Sequence, residues 1–325
     1  MSKRRINKQQ SARIEKIQQT YQDSKENNHA DLADGLVITR FSRHVEIEDN
    51  QGKRIRCSIR PNLETLVAGD RIIWQTEGDN QGVVVSLYPR ASILARPTSA
   101  GLKKPVAANI TQMIVVIAPK PEISWPLLDS YLIMAETLRL HTIILLNKTD
   151  LPCEELKGKL LADYRLLNYP IIMISNTIPS SIEQLKIALD HQISVFVGQS
   201  GVGKSSIISA ILPHEENIAT NEISVGTELG RHTTSNSRYY HLPSGGALID
   251  SPGVREFNLW HIDANQIAQG YIEFKPYLSL CKFRNCTHTD TPFCAIIDAV
   301  NNGKISRNRY ENFIKLCAQF SKPKY

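Results

Sequence analysis

Short clusters in this chain have the residue types and spacing that phosphate, purine and metal-ion chemistry require. Gly198-Gln-Ser-Gly-Val-Gly-Lys-Ser205 fits the pattern G-x-x-x-x-G-K-S. Its glycines let the backbone curl so that N–H groups face bound phosphates, and a following helix adds positive potential at its N-terminus. The candidate phosphate contacts are Gly198, Gln199, Ser200, Gly201, Val202, Gly203, Lys204, Ser205 and Ser206. Lys204 should reach the β/γ-phosphates and Ser205 should ligate Mg²⁺.

Asp250-Ser-Pro-Gly253 follows about fifty residues later. There a carboxylate, Asp250, can hold the Mg²⁺ water shell, and the amide of Gly253 can meet a γ-phosphate. Asn147-Lys-Thr-Asp150 precedes the phosphate loop. Guanine presents N1–H and N2–H₂, two donors that the Asp150 carboxylate can accept; adenine presents an acceptor at that edge and would leave a buried carboxylate unpaired. Lys148 can lay its stem over the base, and Asn147 belongs to the same turn. Ser175 and Asn176, at the end of the next expected strand, are placed to touch the same base edge.

Cys281-x₄-Cys286-x-His288-x₅-Cys294 gathers three thiolates and an imidazole within fourteen residues. That donor set suits a closed tetrahedral Zn²⁺ site with a structural role. Cys57, Cys153 and Cys317 have no nearby partners in sequence and read as core thiols. Lys282 and Arg284, between the first two ligands, are expected to face outward toward phosphate.

The elements that must position these residues follow from hydrophobic patterning. Val45/Ile47, Ile55/Cys57/Ile59, Ile72–Trp74 and Val83–Leu87 alternate between turn signals, as in a small barrel of about five strands and OB type. Residues 93–109, with Pro97, Gly101 and Pro105, read as an irregular linker. Strands over 113–118, 142–146, 171–174 and 193–197 then alternate with helices over 126–140, 154–166, 181–191 and 205–212, the signature of a covered parallel sheet. Strands are expected over 238–241 and 247–249, and a helix over 308–320.

Composition bounds the rest. The chain has 325 residues and a net charge of +6. Its charge sits at the ends: residues 1–30 carry seven Lys/Arg against three acids and residues 300–325 six against one, so the middle is acidic. Basic ends read either as solvated tails or as arms for a polyanion. No apolar run approaches the length of a membrane span, and the start lacks a secretory h-region. A cytoplasmic protein with no membrane partner, with reduced thiols and a metal site, is expected.

The motifs look like those of Ras-like GTPases, but with N-K-x-D ahead of the phosphate loop. Chain termini often lie close together, so a circular permutation can leave the strands in the same places. Together with the barrel, Gly230-Arg-His-Thr-Thr234, Asp250-Ser-Pro-Gly-Val-Arg-Glu256 and the Cys/Cys/His/Cys spacing, the chain resembles the bacterial RsgA family of ribosome biogenesis GTPases past its N-terminal arm. The resemblance implies GTP hydrolysis stimulated by the 30S ribosomal subunit and a role in late small-subunit maturation. It also implies 16S rRNA contacts by the barrel and zinc regions.

Val254 stands beside Gly253, where Ras-like enzymes carry a water-orienting Gln, so unaided hydrolysis should be slow. His232 is the candidate for positioning that water, as in the resembled family; the bland alternative is a solvated loop histidine. Either Thr233 or Thr234 should close on Mg²⁺, with Thr234 taken as the working choice, and residues 212–235 are expected to order only with GTP. The fold expected is multidomain: a basic arm (1–33), an OB-type β-barrel (34–97), an α/β P-loop GTPase domain in permuted motif order (98–259), and a zinc-binding domain with a terminal helix (260–325). A monomer is expected. Two other functions stay open: an RNA-binding module whose nucleotide site senses GTP or GDP without turnover, and a P-loop ATPase or small-molecule kinase, which the N-K-x-D turn disfavours.

Overall fold

The computed structural model describes residues 32–61, 63–78, 80–97, 103–175, 178, 180–213, 237–250 and 264–320. The N-terminal arm up to residue 31, Asn176, the 212–235 loop beyond Pro213 with His232, Thr233 and Thr234, and Gly253 and Val254 lie outside them. The chain divides into two compact units.

The first unit contains β1 (Leu32–Arg40), β2 (His44–Asp49), β3 (Arg54–Ile59), β4 (Arg71–Gly78) and β5 (Gln81–Leu87). Neighbouring strands pair β1–β2–β3–β5–β4, and β4 returns to β1, which closes a five-stranded barrel. Only β3–β5 is parallel. The alternation read from sequence points Val45, Ile47, Ile55 and Cys57 inward, where they meet Val37, Leu66, Ile72, Trp74 and Val84. Closure removes the free edges that a sheet of this size would otherwise expose.

Residues 93–109 are not an irregular linker. They form an antiparallel hairpin of β6 (Ile93–Pro97) and β7 (Lys103–Ala108). Leu94, Ala107 and Ala108 are fully buried, and Pro105 sits at a register shift, where its missing N–H breaks no ladder bond. Pro97 and Pro105, two of the residues that suggested a linker, lie within the paired strands; Gly101 lies outside the described residues. Asn109 ties this hairpin down by donating from Nδ2 to the Gly69 carbonyl at 2.8 Å. The same unit holds β12 (Arg238–His241) and β13 (Ala247–Asp250), an antiparallel pair.

The second unit holds a parallel sheet of β8 (Gln112–Ile117), β9 (His141–Leu146), β10 (Ile171–Met173) and β11 (Ile193–Val197), in the order β10-β9-β8-β11. Every residue of β8 is buried, as a central strand covered on both faces requires. Helices α1 (Trp125–Leu138), α2 (Glu154–Asp163), α3 (Ser180–Ala188) and α4 (Lys204–Ile211) connect or follow the strands. Pro126 begins α1 at the position where its missing N–H costs nothing. The helices α2 and α3 stop short of the expected ends; a 3₁₀ turn over Arg165–Leu167 continues from α2. Further along come α5 (Ala264–Gly270), α6 (Ala295–Asn301) and α7 (Arg307–Phe320). These pack a core of Ile267, Tyr271, Phe274, Ile296 and Phe313 against Ile133 of α1.

Beneath that core lies a buried polar network that the motifs did not announce. Arg309 of α7 pairs with Asp129 of α1 and donates to Glu273 at 2.7 Å. Asp129 also accepts from Tyr164 at 2.8 Å, Tyr271 at 3.1 Å and Asn312 at 2.9 Å. Burial works against the Arg309 charge, but Asp129 and Glu273 outweigh it, so the guanidinium stays charged. Among the described residues, no helix is long and apolar enough to cross a membrane.

Candidate nucleotide site and metal cluster

The parallel strands of the second unit end at one edge of the sheet, and their following loops carry the candidate residues. This is where open α/β sheets bind ligands. After β11 the chain turns through residues 198–203 into α4, so strand, loop and helix follow the order a phosphate cradle needs. Gly198 has φ +142, and a side chain there would lie 2.2 Å from the Val116 carbonyl oxygen. Gly203 has φ +96, and a Cβ would come within 2.4 Å of the Asn147 amide nitrogen. Both positions therefore demand glycine, for backbone conformation and for space.

Lys204 opens α4 and is 4 % exposed. Its Nζ donates to the carbonyls of Gly198 (2.8 Å) and Gln199 (2.5 Å), which folds the ammonium over the loop. Ser205 and Ser206 occupy the first turn of α4, half-buried and exposed respectively. Gln199 accepts at Oε1 from the backbone N–H of Ser124, just before α1, at 3.2 Å.

The N-K-x-D turn after β9 locks onto the same loop. Asn147 is buried and donates from Nδ2 to the Val202 carbonyl at 2.9 Å, while its Oδ1 has no partner among the described residues. Lys148, at φ +60, donates from Nζ to the carbonyls of Gly201 (2.6 Å) and Lys120 (3.0 Å). Asp150 is exposed and accepts from the Ser175 hydroxyl after β10. Ser175 is in turn held by Ser181, whose Oγ accepts its backbone N–H at 3.0 Å. Residues about fifty apart in sequence thus share one set of hydrogen bonds. The amide of Asn147 and the ammonium of Lys148 support the phosphate loop, while Asp150 stays available for a ligand's donors.

Asp250 is the last residue of β13, as its motif required, and belongs to the first unit. Sequence reasoning missed Lys120 and Ser124, which act through backbone atoms and so leave no residue-type signal. It also missed Ser181, whose hydroxyl nothing in the spacing singles out.

The four ligand atoms of Cys281, Cys286, His288 and Cys294 lie within 4.8 Å of one another. Cys281 Sγ and Cys294 Sγ are 3.9 Å apart, and each is 3.5 Å from His288 Nδ1. A tetrahedral ion with metal–sulfur bonds of about 2.3 Å and metal–nitrogen bonds of about 2.0–2.1 Å needs donor separations close to these. Burial keeps the His288 imidazole neutral, as a ligand must be, and pushes the Cys294 thiol up to about 12, a preference that a bound cation reverses. The donor set and spacing fit one metal ion.

Residues 87–260 match the family model for the RsgA GTPase. The chain belongs to the RsgA GTPase family. It is 46 % identical over 329 residues to the small ribosomal subunit biogenesis GTPase RsgA 1 of Vibrio vulnificus (strain YJ016), covering 99 % of this chain and 93 % of that one. It is 41 % identical over 339 residues to the RsgA of Pectobacterium carotovorum subsp. carotovorum (strain PC1), covering 100 % and 97 %. Among solved structures, YjeQ from Thermotoga maritima is similar, with a TM-score of 0.74 and 31 % identity over 90 % of this chain and 100 % of that one. YloQ, a circularly permuted GTPase, has a TM-score of 0.71 and 26 % identity over 92 % and 99 %. As an RsgA-family member the chain is a GTPase built on the permuted fold, with a closed five-stranded barrel ahead of its nucleotide-binding sheet.

Proposed function

We propose that this GTPase is a switch that binds the 30S ribosomal subunit through 16S rRNA and assists its late maturation, with hydrolysis stimulated by the subunit. The observation that carries the nucleotide half is the interlock of Asn147 and Lys148 with the phosphate loop. It supports a single pocket in which Asp150 reads guanine and Lys204 reads phosphate. The ribosomal half is supported by the names of the curated relatives and by basic chain ends.

In this reading, Asp150 accepts the two guanine donors, with Ser175 fixing the carboxylate and Asn176 beside it. Lys148 keeps its two backbone bonds and lies along the base. On binding nucleotide, Lys204 exchanges the Gly198 and Gln199 carbonyls for β- and γ-phosphate oxygens. Backbone amides of 198–203, together with Ser205 and Ser206 at the start of α4, cradle the phosphates. Ser205, Asp250 and Thr234 would hold Mg²⁺, which would supply positive charge against the phosphate oxygens. The Gly253 amide meets the γ-phosphate and His232 orients the attacking water. Val254 offers no hydrogen bond for that task, so the ribosomal partner must complete the site.

Cys281, Cys286, His288 and Cys294 hold one structural Zn²⁺. The arm (1–33), barrel (34–97), GTPase (98–259) and zinc (260–325) segments act as one cytoplasmic monomer. The deciding experiment measures steady-state GTP hydrolysis with and without purified 30S subunits at two salt concentrations. The expected result is strong stimulation that weakens as salt rises. An unchanged rate with bound subunits would leave an RNA-binding nucleotide sensor instead.

A further inference from the structure

The loops that carry the metal ligands present aromatic faces beside unpaired cations. Between Glu273 and Asp290 the chain contains no acid and three cations, Lys275, Lys282 and Arg284. Lys275 is paired with Glu136 at 2.8 Å; among the described residues, no carboxylate pairs with Lys282 or Arg284. Flanking them, Phe283 is 41 % exposed and Phe293 is 68 % exposed. The Lys282 ammonium lies 4.5 Å from the centre of the Phe293 ring and 5.9 Å from that of Phe283.

The metal-binding backbone fixes this arrangement. The Lys282 N–H donates to the Phe293 carbonyl at 3.4 Å, and the Cys286 N–H donates to the Phe283 carbonyl at 3.2 Å. Phe283 and Arg284 also line a cavity of about 370 Å³ that Cys281, Cys286 and His288 share, so the arrangement is built directly on the metal cluster. Single exposed apolar residues are ordinary. Two ring faces held beside two unpaired cations make a composition with a narrower use. The core of a protein interface is depleted in lysine. Aromatic faces interleaved with cations suit unstacked bases on a phosphate chain, whereas the bases of a duplex are already stacked and offer no face.

We propose that Phe283 and Phe293 form a stacking platform for unpaired bases of single-stranded RNA, with Lys282 and Arg284 meeting the adjoining phosphates. This rests on the reading of RNA as the chain's partner, and narrows that partner to single-stranded nucleotides at the metal-bound loops.

The test titrates the full chain with a fluorescently labelled oligoadenylate and with an abasic oligomer of equal phosphate number. Phe283→Leu and Phe293→Leu should each weaken oligoadenylate binding about tenfold and leave abasic binding and the salt slope unchanged. Phe→Tyr at either position should restore binding, and Lys282→Gln should weaken both oligomers. Metal content is measured on every variant. If a leucine variant loses its metal, Phe293→Trp decides, because a larger ring must tighten oligoadenylate binding. Equal binding of the two oligomers, or leucine variants that bind as the wild type does, would overturn the proposal. So would leucine variants that change only self-association in sedimentation, or only binding to anionic lipid vesicles. The wild type failing to bind purified 30S subunits would instead count against the ribosomal reading, and the oligomer comparison would still judge the platform by itself.

Discussion

Lys148 donates to two backbone carbonyls that belong to different loops, Gly201 on the phosphate side and Lys120 after β8. Hydrogen bonds made by a charged group contribute about 1.5–3 kcal/mol. Lys148→Ala should therefore loosen the cradle and weaken GDP binding by at least about tenfold in isothermal titration; unchanged affinity would mean that the interlock does not organise the pocket. Asp150→Asn keeps the side-chain volume but replaces one acceptor with a donor. It should reduce the preference for GDP over ADP; because Asp150 is exposed, the contrast is expected below the roughly 10⁴–10⁵ reached where buried donors and acceptors are matched. Competition with ADP measures this directly. Lys204→Ala should remove the cation that nothing else in the loop replaces, and lower both triphosphate affinity and turnover in the same assays. At this scale the sequence was legible wherever residue type carries the chemistry: Asp150 and Ser175 meet, as their positions at adjacent strand ends implied. The backbone acceptor at Lys120 and the backbone donor at Ser124 left no trace, since any residue offers the same groups.

The helix α1 shows why elements were harder to read than motifs. Its boundaries were visible from Pro126 and the apolar run, and its role in the sheet was plain. Its buried Asp129 was not singled out, because its partner lies 180 positions away in α7. Similarly, β6 and β7 were hidden by Pro97 and Pro105, whose local preference against strands is overridden by burial of Leu94, Ala107 and Ala108. The Arg309 network makes a firm prediction for these elements. Arg309→Met strands Asp129 and Glu273 facing each other without a cation, and removing one partner of a buried pair costs about 3–5 kcal/mol. Urea unfolding should show a loss of that size. A loss below about 1 kcal/mol would mean that the acids take up protons cheaply on folding.

For the molecule as a whole, the metal cluster and the nucleotide site should respond to different insults. Cys286 and Cys294 belong to the same buried cluster as Phe274, Phe313 and Ile133 of α1. Structural zinc in small domains is worth about 10–16 kcal/mol of apparent binding free energy at neutral pH. Cys281→Ala, or removal of the metal by a chelator, should thus abolish hydrogen-exchange protection in α6 while GDP affinity stays within error, because the cluster packs on α6 and α7 and the phosphate loop is held by Asn147 and Lys148. Loss of GDP binding together with the metal would show that α1 passes the disruption on to Gln199 through Ser124. The permuted order was legible from motif positions alone, since β8 to β11 simply take up the strands in a new sequence. The five-stranded barrel was legible too, but not that β1 and β4 close it, because pairing partners cannot be read from alternation.

The pairing of Asp129 with Arg309 has a consequence for how the protein is made. A ribosome translating this message completes β8 and α1 long before it reaches α7, and at about 5–20 residues per second the wait lasts many seconds. Throughout it, the carboxylate of Asp129 has no counter-ion to sit beside, so the nucleotide-binding half emerges from the exit tunnel ajar. Nascent chains arrested short of Arg307 should be cut by protease within α1, and chains released past it should resist.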